Sequence, residues 1–328
     1  MTATMTALFG GAAPQWQARH IPVPEPGPGQ VLVRAHAVSL NNADVQRLDS
    51  SFDPATGRKT EYPAGYEFAG DIAATGPGVR NVRVGDRVMG TTQGAFAQYV
   101  LADHRHVMPV PETLGYDEAS ALPTALLTEH GALTRARFSS GQSVLITGAT
   151  SSIGLTGVQM AKALGASLVI ATTRSKAKEA LLKKIGADTV VVTNGRDLTQ
   201  AALDATGGDG VDVVLDHVGG QTFADCLPAT RVDGHIVNIG RLEGPRSTVD
   251  LDALSYRHLH VRGVSFGFSR PEALGQVVAA AIDEVVPAVA DGRIRPVVDS
   301  VHAFDHAHEA ADRMRSHQAH GKIILTVP

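Results

Sequence analysis

The chain has 328 residues, enough for two domains, and its 43% hydrophobic and 19% charged residues suit a globular protein with a full core. A formal net charge of −4 supplies no basic footprint for nucleic acid or an anionic membrane surface. The single cysteine, Cys226, excludes an internal disulfide and any multi-cysteine zinc site.

The opening stretch MTATMTALFGGAAPQ has no basic residue ahead of an apolar run and does not read as a secretory signal. No segment approaches the ~20 apolar residues of a membrane span. VVAAAIDEVVPAVA comes nearest and is interrupted by Asp283, Glu284 and Pro287. A cytoplasmic enzyme or binding protein is the expectation.

Residues 1–124 are short apolar runs between turn residues. PEPGPGQVLVRAHAV, ATGPGVRNVRVGDRVMG and GAFAQYVLADHRHVMPVP read as strands separated by Gly, Pro and Asp, the pattern of a β-rich unit with a barrel-like sheet. From residue 125 to 269 the rhythm changes. SVLITGA is a buried strand, and Ile153, Gly157, Ala161 and Leu164 mark one face of a helix that stops at Gly165. SLVIATT, DTVVVT, VDVVLDHV and GHIVNIG continue as strands, with SKAKEALLKKIG, LTQAALDAT and TFADCLPAT as helices between them. Continuous Val/Ile/Leu strands alternating with amphipathic helices predict a doubly wound α/β fold on a parallel sheet. HVRGVSFGF adds a strand. Residues 270–328 supply a long helix, a strand at RPVVDS, a helix at DHAHEAADRMRSH and a last strand KIILTV, and they read as a return to the first domain. Cys226, in the helix QTFADCLPATR, reads as a buried, inert small side chain rather than a reactive thiol.

The loop VLITGATSSIG, residues 144–154, carries the expected phosphate site. Gly148 permits a tight exit from the strand, and Gly154 permits close packing of helix on strand. Between them Thr150, Ser151, Ser152 and Ile153 keep their backbone N–H groups at the helix start, where the dipole favours an anion. An NAD site usually has Asp or Glu about 20 residues past the loop. Here no acid occurs from Thr172 to Lys178, and Arg174 offers a planar fork suited to a 2′-phosphate, with Thr173, Ser175 and Lys178 nearby. Arg174 as a solvated surface charge is the alternative. NADPH is the expected cofactor.

TGATSSIG also resembles the glycine motif of short-chain dehydrogenases. That family needs Tyr-x-x-x-Lys, and none of Tyr62, Tyr66, Tyr99, Tyr116 and Tyr256 has lysine four residues on.

With YPAGYEFAGDIAATGPGVRNVRVGDRVMG, GQSVLITGATSSIGLTGVQMAKALGA and GKIIL, the chain resembles the medium-chain dehydrogenase/reductase superfamily, nearest its zinc-free quinone oxidoreductases. The G-x-E-x-x-G at Gly65, Glu67 and Gly70 and the V-G-D-R-V from Val84 to Val88 carry the likeness. It implies a GroES-like substrate domain, a Rossmann cofactor domain, a cleft between them, and a homodimer paired through the cofactor domains. Matching the metal motifs of zinc-dependent relatives puts Asn41, Tyr66 and Thr124 in the three ligand places, and none is a usual zinc ligand. HRH at 104–106, HLH at 258–260 and HAH at 306–308 lack a third ligand, so no metal is expected.

Without zinc, a quinone or an α,β-unsaturated carbonyl is the natural acceptor, because conjugation already makes it electrophilic. The resemblance nominates Asn41 as a donor to the acceptor oxygen, or as a turn cap; Tyr66 as a hydroxyl facing the cleft, or as core packing; and His130 as a proton source, or as a structural histidine. Thr128 matches a position near the nicotinamide. Val218, Gly240 and Arg241 fall at strand ends; Phe266 and Gly267 are expected to cover the nicotinamide, and Lys322 to approach the phosphates. Tyrosines that the branch often carries just after SLNNADV are replaced here by Gln46 and Phe52, so their proton-donor role does not transfer and solvent is the expected proton source. A ketone or alcohol oxidoreductase using NADPH, and a non-catalytic NADPH-binding protein like some lens crystallins, are the two alternatives.

Overall fold

A computed structural model describes residues 3–53, 58–265 and 270–328. The chain forms two compact units, one of Met1–Thr124, Gly267–Val286 and Pro296–Pro328, the other of Ala125–Phe266 and Pro287–Arg295.

The first unit is β-rich. Its seven-stranded sheet runs in the order Val107–Pro109, Arg87–Thr91, Glu67–Thr75, Gln30–Ser39, Lys322–Thr326 and Val298–Ala303, with Tyr99–Asp103 also pairing Gln30–Ser39. The long strand Gln30–Ser39 is central because it serves three neighbours. Its first half pairs Tyr99–Asp103, its last three residues pair the C-terminal strand (Ser39 opposite Ile324), and its other edge pairs Glu67–Thr75. A smaller sheet of Gln17–Pro22, Thr4–Gly10 and Tyr62–Pro63 packs with it. Alternate residues turn inward and build one core of Val31, Val33, Val38, Phe68, Ile72, Phe96, Ile323 and Leu325. This is the GroES-like sheet domain.

The second unit has six parallel strands in the order Thr189–Val192, Leu168–Thr173, Ser143–Ile146, Val211–Asp216, Thr230–Asn238, His260–Gly263. The order reverses at the first strand in sequence, Ser143–Ile146, which makes its carboxyl end the switch point where such sheets take ligands. All four residues of that strand are buried, as a sheet covered on both faces requires. Helices Ser152–Ala163, Leu198–Ala205 and Gly220–Ala229 are among those that connect the strands. The expected helix SKAKEALLKKIG is instead a 3₁₀ turn at Lys176–Lys178 leading into Glu179–Lys184, with no side-chain cap at its start. The long helix expected after residue 270 divides into Pro271–Glu284 and Val286–Ala290, because Pro287 cannot continue the backbone ladder. Cys226 is buried, and burial pushes its thiol well above the usual value. Among the described residues, no helix is long and apolar enough to cross a membrane.

Candidate functional site

In the second unit the switch point is a glycine loop held by side chains from two neighbouring strands. Gly148 has a φ of +55°, and its N–H donates to Thr172 Oγ1 at 3.1 Å. A Cβ there would lie 3.0 Å from Val218 Cγ2 and 3.4 Å from His217 Cβ. At Gly154 a Cβ would stand 2.8 Å from the Ala149 Cα, so only glycine lets the helix start so close to the loop. Ser151 caps helix Ser152–Ala163, its Oγ accepting from the Gly154 N–H at 3.1 Å. Thr150, Ser151, Ser152 and Ile153 are half-buried around it. Helix N–H groups beside a wall that any added Cβ would fill suit a pyrophosphate, so this loop fits a dinucleotide.

The end of strand Val211–Asp216 completes the wall. Asp216, fully buried, accepts from Thr147 Oγ1 at 2.8 Å, from the Val218 N–H at 3.0 Å and from Asn238 Nδ2 at 2.9 Å. These bonds fix the turn that presents Val218, which is half-buried. Gly240 passes so near that a Cβ would come within 2.1 Å of the His217 carbonyl oxygen, while Arg241 beside it is exposed. Gly148, Val218 and Gly240 are therefore brought together.

Beneath them lies a pair that sequence reasoning missed. Glu129 Oε1 and His217 Nε2 are 2.5 Å apart, at 0% and 4% exposure, and His217 Nδ1 faces the Thr147 carbonyl oxygen at 2.8 Å. Burial opposes the imidazolium, yet Glu129 and the Thr147 carbonyl outweigh it and raise the His217 pKa. Nothing local in the sequence pairs residues 88 positions apart.

At the end of strand Leu168–Thr173, Thr173 is buried and its Oγ1 accepts from the Ser175 N–H at 3.1 Å. Thr173 thus shapes the turn. Arg174 is exposed, and among the described residues no carboxylate pairs with it; Ser175 and Lys178 are half-buried beside it.

In the first unit a second polar cluster sits under the strand ends. Glu67, fully buried, accepts from Ser39 Oγ at 2.7 Å, Asn41 Nδ2 at 2.8 Å and the Thr124 N–H at 2.9 Å, and it pairs with the Lys322 ammonium. Lys322 also donates to Asn41 Oδ1 at 2.7 Å. Lys322, expected from the sequence to approach the phosphates, is 2% exposed, and its ammonium binds Glu67 and Asn41 within the β-rich unit. The Asn41 backbone N–H donates to Asp44 Oδ2 at 2.7 Å, and its side-chain amide also faces that carboxyl. Burial first, then the nearby Glu67 charge, push the Asp44 pKa up to about 7, against the opposing bonds from Asn41 and the charge of Lys322. Tyr66 is half-buried, its hydroxyl accepting from Arg47 at 3.3 Å.

On helix Pro123–Arg135, Thr128 is half-buried. His130, for which the sequence left a proton source and a structural histidine open, is 2% exposed on the same helix. Phe266 and Gly267 lie outside the described residues. Among the described residues, no group of three or more His, Cys, Asp or Glu side chains forms a metal cluster.

Comparison with known proteins matches residues 27–112 to the alcohol dehydrogenase GroES-like domain and residues 152–283 to the zinc-binding dehydrogenase family. The chain is 28% identical over 302 residues to quinone oxidoreductase-like protein 2 of Bos taurus, covering 92% of this chain and 86% of that protein. It is 32% identical to a mycocerosic acid synthase-like polyketide synthase of Mycobacterium tuberculosis, over 92% of this chain but only 14% of that much longer protein. Among solved structures, an alcohol dehydrogenase superfamily protein from Novosphingobium aromaticivorans superposes with a TM-score of 0.88 at 29% identity, covering 99% of this chain and 100% of the other. A mycobacterial quinone oxidoreductase gives 0.85 at 27% identity, over 98% and 99%. The two matched domains in this order, the six-stranded parallel sheet with its glycine loop, and these relatives lead to one assignment: the chain belongs to the medium-chain dehydrogenase/reductase superfamily, in its quinone oxidoreductase-like branch.

Proposed function

We propose that the protein reduces a quinone or the C=C of an α,β-unsaturated carbonyl compound with NADPH, without a catalytic zinc. The observation that carries the cofactor choice is the exposed, carboxylate-free Arg174 at the end of the second strand, where an NAD site would want an acid. The mycobacterial neighbour named a quinone oxidoreductase and the bovine relative named quinone oxidoreductase-like support the acceptor class. Zinc independence is supported by side-chain chemistry: an amide, a phenol and a hydroxyl at Asn41, Tyr66 and Thr124 are poor zinc ligands.

When bound, the cofactor supplies a hydride from its nicotinamide ring. The chain's own work is to bind and orient. The backbone N–H groups of Thr150, Ser152 and Ile153 at the helix start take the pyrophosphate, Arg174 with Ser175 and Lys178 takes the 2′-phosphate, and Val218, Gly240, Arg241 and Thr128 border the remainder. Asn41, braced by Glu67 and Lys322, turns an amide N–H to the acceptor oxygen as negative charge grows there; the Tyr66 hydroxyl is a second donor. One hydride and one proton from solvent complete the reduction. Initial rates with NADPH and NADH against a small quinone, an enone and the matching saturated ketone test the reading, with and without a chelator. NADPH oxidation by the quinone or enone, unaffected by chelator, is the expected result, and absence of turnover with both acceptors rejects it.

A neighbour named NAD-dependent alcohol dehydrogenase, at TM-score 0.83 and 27% identity, favours a second reading as a ketone or alcohol oxidoreductase. Equal rates with the enone and its saturated ketone would support that reading. A cytoplasmic homodimer completes the proposal. Among the described residues, strand His260–Gly263 ends the six-stranded sheet with an open edge, and Tyr256 and Val261 nearby are 78% and 45% exposed. Light scattering on the purified protein would measure the mass.

A further inference from the structure

We infer that the buried Glu129–His217 pair is a positioning device for the dinucleotide loop, an inference that rests on the proposed cofactor site. Three elements meet at the Glu129 carboxylate. Its Oε1 faces His217 at the end of strand Val211–Asp216. Its Oε2, with no hydrogen-bond partner among the described residues, lies where a Cβ on Gly157 would be 2.5 Å away, on the helix that begins at the glycine loop. Glu129 itself belongs to helix Pro123–Arg135, directly after Thr128.

The other end of the pair points at the loop. His217 Nδ1 donates to the carbonyl of Thr147, and the His217 N–H donates to Thr147 Oγ1 at 2.9 Å. Thr147 is followed by Gly148 and His217 by Val218, so Thr147, which the imidazole grips, and His217 itself are each one peptide from a residue of the cradle. Because Nδ1 and Nε2 both face acceptors, the ring cannot turn without losing a bond. That geometry makes His217 a brace and removes it as a proton donor to any acceptor.

A buried ion pair is a poor source of net stability, since apolar residues of similar volume often replace one without loss. What leucine side chains would not reproduce is direction. They would fill the space and leave the Thr147 carbonyl unheld. The structure therefore assigns the pair to loop order, with Glu129 and His217 as positioning residues.

The test is amide hydrogen exchange on the ligand-free protein, read at Gly148, Ala149, Val218 and Gly219, whose N–H groups are all hydrogen-bonded. In the double variant Glu129→Leu/His217→Leu, exchange at these four amides should accelerate at least tenfold (about 1.4 kcal/mol of local opening). The thermal midpoint should stay within a few degrees, and the Kd for NADPH should rise at least tenfold. Glu129→Gln, which keeps a hydrogen bond to Nε2, should retain wild-type exchange. Gly157→Ala displaces the carboxylate without removing either partner and should accelerate the same amides, so it decides the matter should the double variant not fold. Wild-type exchange at the four amides, or acceleration spread evenly over the six strands, overturns the inference. Exchange needs no cofactor, so failure of the proposed function would show separately, as a wild-type protein that binds no NADPH.

Discussion

The ammonium of Lys322 and the carboxylate of Glu67 meet inside the β-rich unit at 2% and 0% exposure, although 255 positions separate them in the chain. Register explains the meeting. Ser39 lies opposite Ile324 on one side and opposite Glu67 on the other, and the Leu40 N–H donates to the Ile323 carbonyl at 2.9 Å. Continued two residues, the same antiparallel register sets Asn41 opposite Lys322.

Removing one partner of that pair should be costly. Lys322→Met leaves Glu67 buried and unpaired, and a loss of about 3–5 kcal/mol is expected in denaturant titration. Affinity for NADPH, whose proposed contacts lie in the other unit, should change less than threefold. A large loss of cofactor affinity in a fully folded Lys322→Met protein would restore the phosphate role that its burial argues against.

Asp44 gives the β-rich unit a pH dependence of definite sign. Its folded pKa of about 7 is above the ordinary 3.8, so between these values the folded chain binds more protons than the unfolded one. Its contribution is complete below about pH 4 and is lost as pH rises toward 7, at up to about 1.4 kcal/mol per pH unit. Asp44→Asn, neutral throughout, should show a stability advantage over wild type that grows from pH 4 to 7 and then levels. Parallel urea titrations at three pH values would measure it, and an advantage independent of pH would contradict the assignment.

Arg174 should discriminate between the two nicotinamide cofactors. Arg174→Ala is expected to raise the KM for NADPH tenfold or more while moving that for NADH less than threefold, a difference of about 0.7 kcal/mol or greater. Steady-state kinetics with both cofactors supplies the comparison. Equal effects would assign Arg174 to the solvated surface.

Gly240 tests how tightly the strand ends pack. A Cβ would come 2.1 Å from the His217 carbonyl oxygen, so Gly240→Ala must push two backbones apart. Overpacking of this kind typically costs about 1–3 kcal/mol, visible as a lowered thermal midpoint by circular dichroism. A midpoint equal to wild type would mean that this part of the wall yields freely.

Local signals carried much of the architecture. Runs such as VLI and VVL before Gly148 and Asp216 declared buried parallel strands, because a strand covered on both faces must be apolar throughout. The loop glycines were legible because a positive φ at Gly148 and a close approach at Gly154 are demands of a few neighbouring atoms. The absence of acid beside Arg174 could be read from the seven consecutive letters Thr172 to Lys178. A Pro at 287 was visible too, yet the division it makes in the helix was not anticipated, since the apolar pattern continues across it.

The sequence by itself thus determined the order of the two sheets, the place of the glycine loop and the residue types available near it. Tertiary structure alone decided which charges pair: Lys322 with Glu67, Glu129 with His217, and a proton kept on Asp44 up to about pH 7. The physical reason is range. Backbone preferences and periodicity act over a few residues, whereas a buried charge answers to whatever the register and helix packing bring within 3 Å of it from a distant part of the chain.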